Sequence, residues 1–237
     1  MKRTIIALMA LAGVAAADTT GAITLWDTGF SATATGDNAG QWTLNDEDKA
    51  LLTSSGWVLT KADGSSLENT IIAGNTTTVN TAELRPNTNV GSAQGWSLDF
   101  TLTNNSSTEA ITLTSLTFDT VIFAGSGAYQ GNSTERDFVF TLTCGDVTLN
   151  TGNLTIAGNT TANPTNGVVT FTFDSAVELA ANESIAIGLD VAKGTTNPGC
   201  FLGLKSISAT GVTIPEPTTA TLSLLALAGL AARRRRK

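Results

Sequence analysis

Residues 96–103 read WSLDFTLT, and this stretch decides the fold class. Its apolar side chains stand at every second position, from Trp96 to Leu102, and the positions between them are polar. Because successive side chains of a strand point to opposite faces, this period of two predicts a strand with one buried face. The same alternation recurs at 138–144, 168–174 and 185–191. The body is therefore predicted to consist of antiparallel sheets that are covered on one side.

Shorter patterns extend this prediction along the chain. The apolar phase changes between Leu113 and Leu116, which predicts a bulge near Thr114–Ser115. The dipeptide Gly145-Asp146 suits a two-residue hairpin. Further strands are predicted at 22–26, 56–60, 78–84, 110–118, 147–150 and 201–208.

These strands predict an all-β fold, namely an antiparallel two-sheet sandwich of jelly-roll-like type. At most one short helix is expected in the body. It would begin with Asn45 as its N-cap, followed by the acidic residues 46–48, and end near Ser54–Gly56.

The N-terminus has the three parts of a secretory signal peptide. Lys2 and Arg3 precede an apolar run at 4–14, and three alanines at 15–17 precede Asp18. We expect Sec-type export and cleavage between Ala17 and Asp18. The run is too short for a transmembrane anchor.

The C-terminus combines three further elements. Pro215, Glu216 and Pro217 come first, and a Leu/Ala-rich run at 218–232 follows. A helix of that length would be about 22 Å long, shorter than the hydrocarbon core of about 30 Å. The chain ends in five cations, which the positive-inside rule keeps in the cytoplasm. They are Arg233, Arg234, Arg235, Arg236 and Lys237.

This ordered triplet resembles the PEP-CTERM sorting signal of diderm bacteria. The resemblance covers about the last two dozen residues. It implies that an exosortase, a membrane-embedded peptidase, recognises and removes the signal after transient anchoring in the inner membrane. It also implies a final location at the cell surface or outside the cell, and an association with exopolysaccharide or biofilm matrix. Pro215 and Pro217 block helix continuation, so we expect an extended backbone at the motif.

Composition excludes several functional classes. The body from Asp18 to Pro217 has six cations and 20 anions, a net charge of −14. Nucleic-acid binding requires a basic face, so no nucleic acid is expected as a partner. The chain contains no His, the most common general base at neutral pH and the most common zinc ligand. We therefore predict no catalytic residues, no metal site and no cofactor.

Two ligand-related alternatives stay open. Paired carboxylates serve glycoside hydrolysis, and six are available. Tyr129, in the Gly/Ser-rich stretch 125–131, is the best candidate for stacking on a sugar, whereas Trp57 and Trp96 are interpreted as core residues. The six carboxylates are Asp99, Asp119, Glu135, Asp137, Asp174 and Asp190.

The two cysteines, Cys144 and Cys200, are predicted to form a disulfide because the chain is exported and their number is even. Both share the parity of neighbouring apolar residues, so both side chains are expected to point inward. The alternative is two buried thiols, since a free cysteine packs as a small apolar group.

The predicted organisation is a signal peptide at 1–17, a β-sandwich at 18–212 and a sorting signal at 213–237. The leading hypothesis is a non-enzymatic surface or matrix protein that is sorted by an exosortase and contacts polysaccharide. The second hypothesis is a carbohydrate-binding module, and the third is a divergent glycan hydrolase.

Overall fold

The computed structural model describes residues 22–31, 43–44, 51–61, 71–73, 82–84, 95–123, 135–156, 167–195 and 201–215. These ranges contain twelve strands. The strands are β1 (Ile23–Ser31), β2 (Thr43–Leu44), β3 (Leu52–Lys61), β4 (Ile71–Ala73), β5 (Ala82–Leu84), β6 (Trp96–Asn104), β7 (Glu109–Phe123), β8 (Arg136–Cys144), β9 (Val147–Ile156), β10 (Gly167–Leu179), β11 (Ser184–Lys193) and β12 (Phe201–Pro215).

The strands form two antiparallel sheets that pack against each other. One sheet has the order β10-β7-β12-β1-β2, with β5 pairing β12 and β4 pairing β5. The other has the order β3-β6-β11-β8-β9. From β5 onward, the chain crosses between the sheets at every connection except the β8–β9 hairpin. The prediction of an all-β, two-sheet antiparallel sandwich is confirmed.

The alternation of apolar and polar residues at 96–103 becomes the burial pattern of β6. Trp96, Leu98, Phe100 and Leu102 are buried, and the residues between them are half-buried or exposed. The strand is flanked by β3 and β11, so both of its edges are paired. Its apolar face joins the hydrophobic core between the sheets. Burying such a face provides most of the driving force for the fold.

Two local predictions are confirmed by the strand register. Between β7 and β12, Ser115 pairs with Thr210 and Leu113 pairs with Gly211, so Thr114 is the extra residue of a bulge. Cys144 pairs with Val147, which leaves Gly145 and Asp146 as a two-residue turn. Gly145 has a φ of 56°, as the first central residue of a primed hairpin turn requires.

The predicted helix end is wrong. Residues 45–50 lie outside the described ranges, but β3 begins at Leu52 and passes through Ser54–Gly56. Leu52 is fully buried and pairs with Asn104, and Thr53 pairs with Thr103 of β6. Pairing with β6 therefore makes Leu52–Ser55 a strand and not the end of a helix.

The two ends of the sandwich differ in their connections. At one end β12 finishes at Pro215, β1 begins at Ile23, and short turns at 105–108, 145–146 and 180–183 join strands; we call it the motif end. At the other end the connections are long in sequence, at 62–70, 124–134, 157–166 and 194–200; we call it the loop end.

Candidate functional site

The last strand of the sandwich runs directly into the sorting motif. β12 spans 15 residues and ends at Pro215, which pairs with Glu109, the first residue of β7. It therefore continues past the predicted boundary at residue 212. The extended backbone that we expected at the motif is present at Pro215. Glu216, Pro217 and residues 218–237 lie outside the described ranges.

Among the described residues, β12 is paired on both sides up to Gly211. There it contacts Ile23 of β1 on one side and Leu113 of β7 on the other. From Val212 to Pro215, the pairing that the described residues provide is with β7 alone. Ile214 and Ile23 are both partly exposed at this end, at 39% and 47%.

Gly211 lets three strands pack closely beside the motif. A Cβ atom at this position would lie 2.0 Å from the carbonyl oxygen of Thr112 and 2.7 Å from the Leu25 side chain. Contacts this short are not tolerated, so any larger residue would displace β7 or β1. The sequence offered no signal for this role, because the contacting atoms come from distant positions.

Asn104 holds the turns of the motif end together. Its side chain is fully buried. Its Nδ2 donates to the carbonyl oxygens of Glu109 at 2.8 Å, Leu179 at 3.2 Å and Ala180 at 3.0 Å. Its Oδ1 accepts from the backbone N–H of Ser106 at 2.9 Å. One amide thus joins the β6–β7 turn to the end of β10.

Asp137 has the corresponding position at the loop end. Its two carboxylate oxygens accept from the hydroxyls of Thr155 at 2.7 Å and Thr195 at 2.8 Å. Its carbonyl oxygen accepts from Gly194 N at 2.8 Å, and Asn153 Oδ1 accepts from Thr195 N at 2.8 Å. The cluster fastens the segment that follows β11 to the β8–β9 hairpin. These bonds hold Asp137 in a structural network.

Asp99 and Asp190 are brought near each other on the outer face of the five-stranded sheet. Asp190 pairs with Ser97, and Asp99 pairs with Gly188 on neighbouring strands. Partial burial raises the pKa of Asp190, and the Asp99 carboxylate adds to the rise. A Cβ added at Gly188 would lie 3.0 Å from Asp99 Oδ1, so this carboxylate lies over the glycine.

The described tryptophans belong to the core. Trp26 and Trp96 are buried, and Trp57 stacks on Phe100 with ring centroids 4.2 Å apart and an interplanar angle of 6°. Trp26 also stacks with Phe100, at 6.0 Å. The interpretation of Trp57 and Trp96 as core residues is confirmed. Tyr129, the predicted sugar-stacking residue, lies outside the described ranges.

Cys144 is buried at the end of β8, and it is the only cysteine in the described ranges. Burial raises its pKa to about 12, which makes it a poor nucleophile. Cys200 lies outside the described ranges, so the disulfide stays a prediction. The register disfavours it, because Cys144 precedes a turn of the motif end whereas Phe201, the residue after Cys200, pairs with Phe123 at the loop end.

The remaining residues predicted for export and sorting lie outside the described ranges. They include the cleavage pair Ala17 and Asp18 and the cations from Arg233 to Lys237. The described part of the chain contains no helix with the length and hydropathy of a membrane span. Within the same ranges, no three His, Cys, Asp or Glu side chains are grouped as ligands for a metal ion.

Comparison with known proteins identifies the C-terminal segment. Residues 213–237 match the PEP-CTERM protein-sorting motif, so the chain carries this sorting signal at its C-terminus. The match begins within β12, two residues before Pro215. No curated protein sequence matches the chain.

A similar solved structure is the functional form of the mosquito-larvicidal Cry4Aa toxin from Bacillus thuringiensis. The two are 12% identical with a TM-score of 0.34. The similarity covers 72% of this chain and 26% of the toxin structure, so the chain spans about a quarter of that structure.

Proposed function

We propose that this protein is exported, held transiently in the inner membrane by its C-terminal segment, and sorted by an exosortase-like peptidase to the cell surface or beyond. The observation that carries the proposal is the PEP-CTERM motif at 213–237, which continues directly from β12. The folded body and the sorting signal are thus joined without a linker.

The arrangement of the strands supports anchoring in one bilayer. Ile23 at the start of β1 pairs with Gly211 near the end of β12. The N-terminal signal segment and the C-terminal sorting segment therefore leave the body at the same end. Both predicted membrane segments keep their cations in the cytoplasm, so the body is translocated.

Replacement of both motif prolines tests sorting. In Pro215→Ala/Pro217→Ala, the predicted membrane helix can extend from residue 218 toward the N-terminus, and the extended backbone at the motif is lost. We expect a full-length, membrane-bound chain on immunoblots of fractionated cells. The matched control is Pro164→Ala/Pro198→Ala, which changes two prolines far from the motif and is expected to be processed normally. Normal release of the motif variant would contradict the proposal.

We also propose that the body is a non-enzymatic surface or matrix component that contacts polysaccharide through the loop end. While the chain is anchored, the motif end faces the membrane and the loop end points away from it. The connection 124–134, which contains Tyr129, joins Phe123 to Glu135 at the loop end. A phenol ring offers a sugar both an apolar face and a hydroxyl group.

Cosedimentation with the exopolysaccharide of the producing cells tests this contact. We expect Tyr129→Ala to lose binding and Tyr129→Phe, which keeps the ring, to retain most of it. Equal binding by the Ala variant would place the contact elsewhere. Absence of binding by the wild-type protein would contradict polysaccharide association while leaving the sorting function intact.

The second candidate is a carbohydrate-binding module that uses the outer face of the five-stranded sheet. Thr101, Thr141 and Thr143 lie beside the Asp99–Asp190 pair in the strand register of this face. A glycan array separates the candidates, because a module binds a defined oligosaccharide and loses it in Asp99→Asn/Asp190→Asn. Release of reducing ends by the wild-type protein, lost in that variant, would instead favour a glycan hydrolase.

A further inference from the structure

We propose that the last four residues of β12, Val212–Pro215, must leave the sheet before the peptidase can cleave, so that the fold of the body controls its own release. The proposal rests on the sorting function above. It concerns the step between anchoring and cleavage, and it makes the end of β12 a gate.

The motif is too close to the folded body for a peptidase to reach it in place. A peptide that is bound by β-augmentation is an extended strand whose main chain pairs with the partner. From Pro215 to Thr218, where the predicted membrane helix begins, the chain spans at most about 11 Å. Pro215 itself is paired with Glu109, beside the β6–β7 turn. The backbone that the enzyme needs is therefore still part of the sheet.

The two paired strand ends are held very differently. Glu109 of β7 is fixed through both its backbone groups, since its N–H donates to Ser106 Oγ at 2.9 Å and its carbonyl oxygen accepts from Asn104 Nδ2 at 2.8 Å. Pro215 has no N–H to donate. Ile214, the residue before it, is 39% exposed. Separation of the pair therefore moves the end of β12 and leaves β7 in place.

Gly211 sets the limit of this separation. At Gly211 the strand is paired on both sides and buried, and it packs against Thr112 and Leu25. From Val212 onward, the described residues pair it with β7 only. Release of the four residues adds up to about 14 Å of extended chain between body and membrane. The body itself stays folded, because β12 keeps both neighbours up to Gly211.

A reversible tether between β12 and β7 tests the gate in the full chain, expressed in cells that process the wild-type protein. Ala110 and Ile214 are register partners, and paired Cα atoms in antiparallel strands are close enough for a disulfide. The Ala110→Cys/Ile214→Cys variant locks the segment. The Thr117→Cys/Ser208→Cys variant locks the same two strands on the other side of Gly211, and serves as the matched control.

We expect the first variant to remain full-length and membrane-bound while oxidised and to be released after addition of a membrane-permeant reductant. The control should be released at the wild-type rate in both conditions. Release of the oxidised first variant at the wild-type rate would overturn the proposal. Failure of its reduced form to be released would also overturn it, because the substitutions and not the tether would then be responsible. A wild-type chain that keeps residues 218–237 would instead contradict the sorting function itself.

Discussion

Asn104 at the motif end of the sandwich and Asp137 at the loop end are both buried polar side chains, but the two use opposite chemistry. At the motif end, the neutral amide of Asn104 donates to three backbone carbonyl oxygens. At the loop end, the carboxylate of Asp137 accepts from two threonine hydroxyls. The amide fixes backbone directly, whereas the carboxylate holds side chains that can rotate.

The largest effect on stability is expected when the amide donor of Asn104 at the motif end is replaced by a carboxylate. In Asn104→Asp, a carboxylate oxygen would face three carbonyl oxygens in a buried site. We expect a loss of about 4 kcal/mol in the free energy of unfolding at neutral pH, because a buried charge would be left unpaired. The variant should recover stability as the pH falls, since burial raises the pKa of such a carboxyl and the protonated form can donate. Urea titrations at two pH values measure this, and unchanged stability at neutral pH would contradict the role of Asn104.

A slightly smaller loss of stability is expected from substitution of Gly211, where β12 pairs with both β1 and β7. Gly211→Ala would place a methyl group 2.0 Å from the Thr112 carbonyl oxygen, so β7 and β12 must shift. We expect a loss of about 3 kcal/mol. Gly152→Ala is the matched control, because Gly152 has a φ of 65° and no atom within 4 Å of an added Cβ. It should lose only about 1 kcal/mol, from backbone strain. Equal losses would show that Gly211 is not a close contact.

The loop end should tolerate the matching substitution better. In Asp137→Asn, one carboxylate oxygen becomes an NH₂ group, and the hydroxyl of Thr155 or Thr195 can rotate to accept from it. We expect a loss of about 1 to 2 kcal/mol, corresponding to one charge-assisted hydrogen bond. Chemical denaturation alongside Asn104→Asp compares the two ends directly. A loss at Asp137 as large as that at Asn104 would remove the contrast between them.

The smallest effect on stability is expected from Asp190, on the outer face of the five-stranded sheet. Partial burial, with a contribution from the Asp99 carboxylate, raises the pKa of Asp190 above the ordinary aspartate value of 3.8, so the folded state binds this proton more tightly than the unfolded state. Ionisation of Asp190 therefore costs stability as the pH rises through its folded pKa. Asp190→Asn should raise the Tm slightly at pH 7 and leave it unchanged near pH 3. Asp174→Asn, on the other sheet, controls for loss of one negative charge; an equal rise there would point to net charge alone.

The sequence predicted what depends on local periodicity. The alternation at 96–103 became β6, the phase change near Thr114 became a bulge, and Gly145-Asp146 became a hairpin. The motif at 215–217 was recognisable because three elements stand in a fixed order along the chain. In each case the residues that carry the signal are neighbours in sequence.

What the sequence did not predict depends on contacts between distant residues. The partners of Asn104 include residues 179 and 180, and Gly211 is required by atoms of Thr112 and Leu25. The helix predicted from Asn45 was given an end near Ser54–Gly56 because the pairing of this segment with β6, about 45 residues away, leaves no signal within the segment itself. The length of β12 was underestimated for the same reason, since pairing with β7 carries it to Pro215.

The mass of the mature protein, purified from the surface or medium of the producing cells, tests the central claim most directly. Sorting by the motif at the end of β12 predicts a chain that begins at Asp18 and lacks the arginine cluster and most or all of the apolar run at 218–232. An exported mature chain that still ends at Lys237 would contradict it.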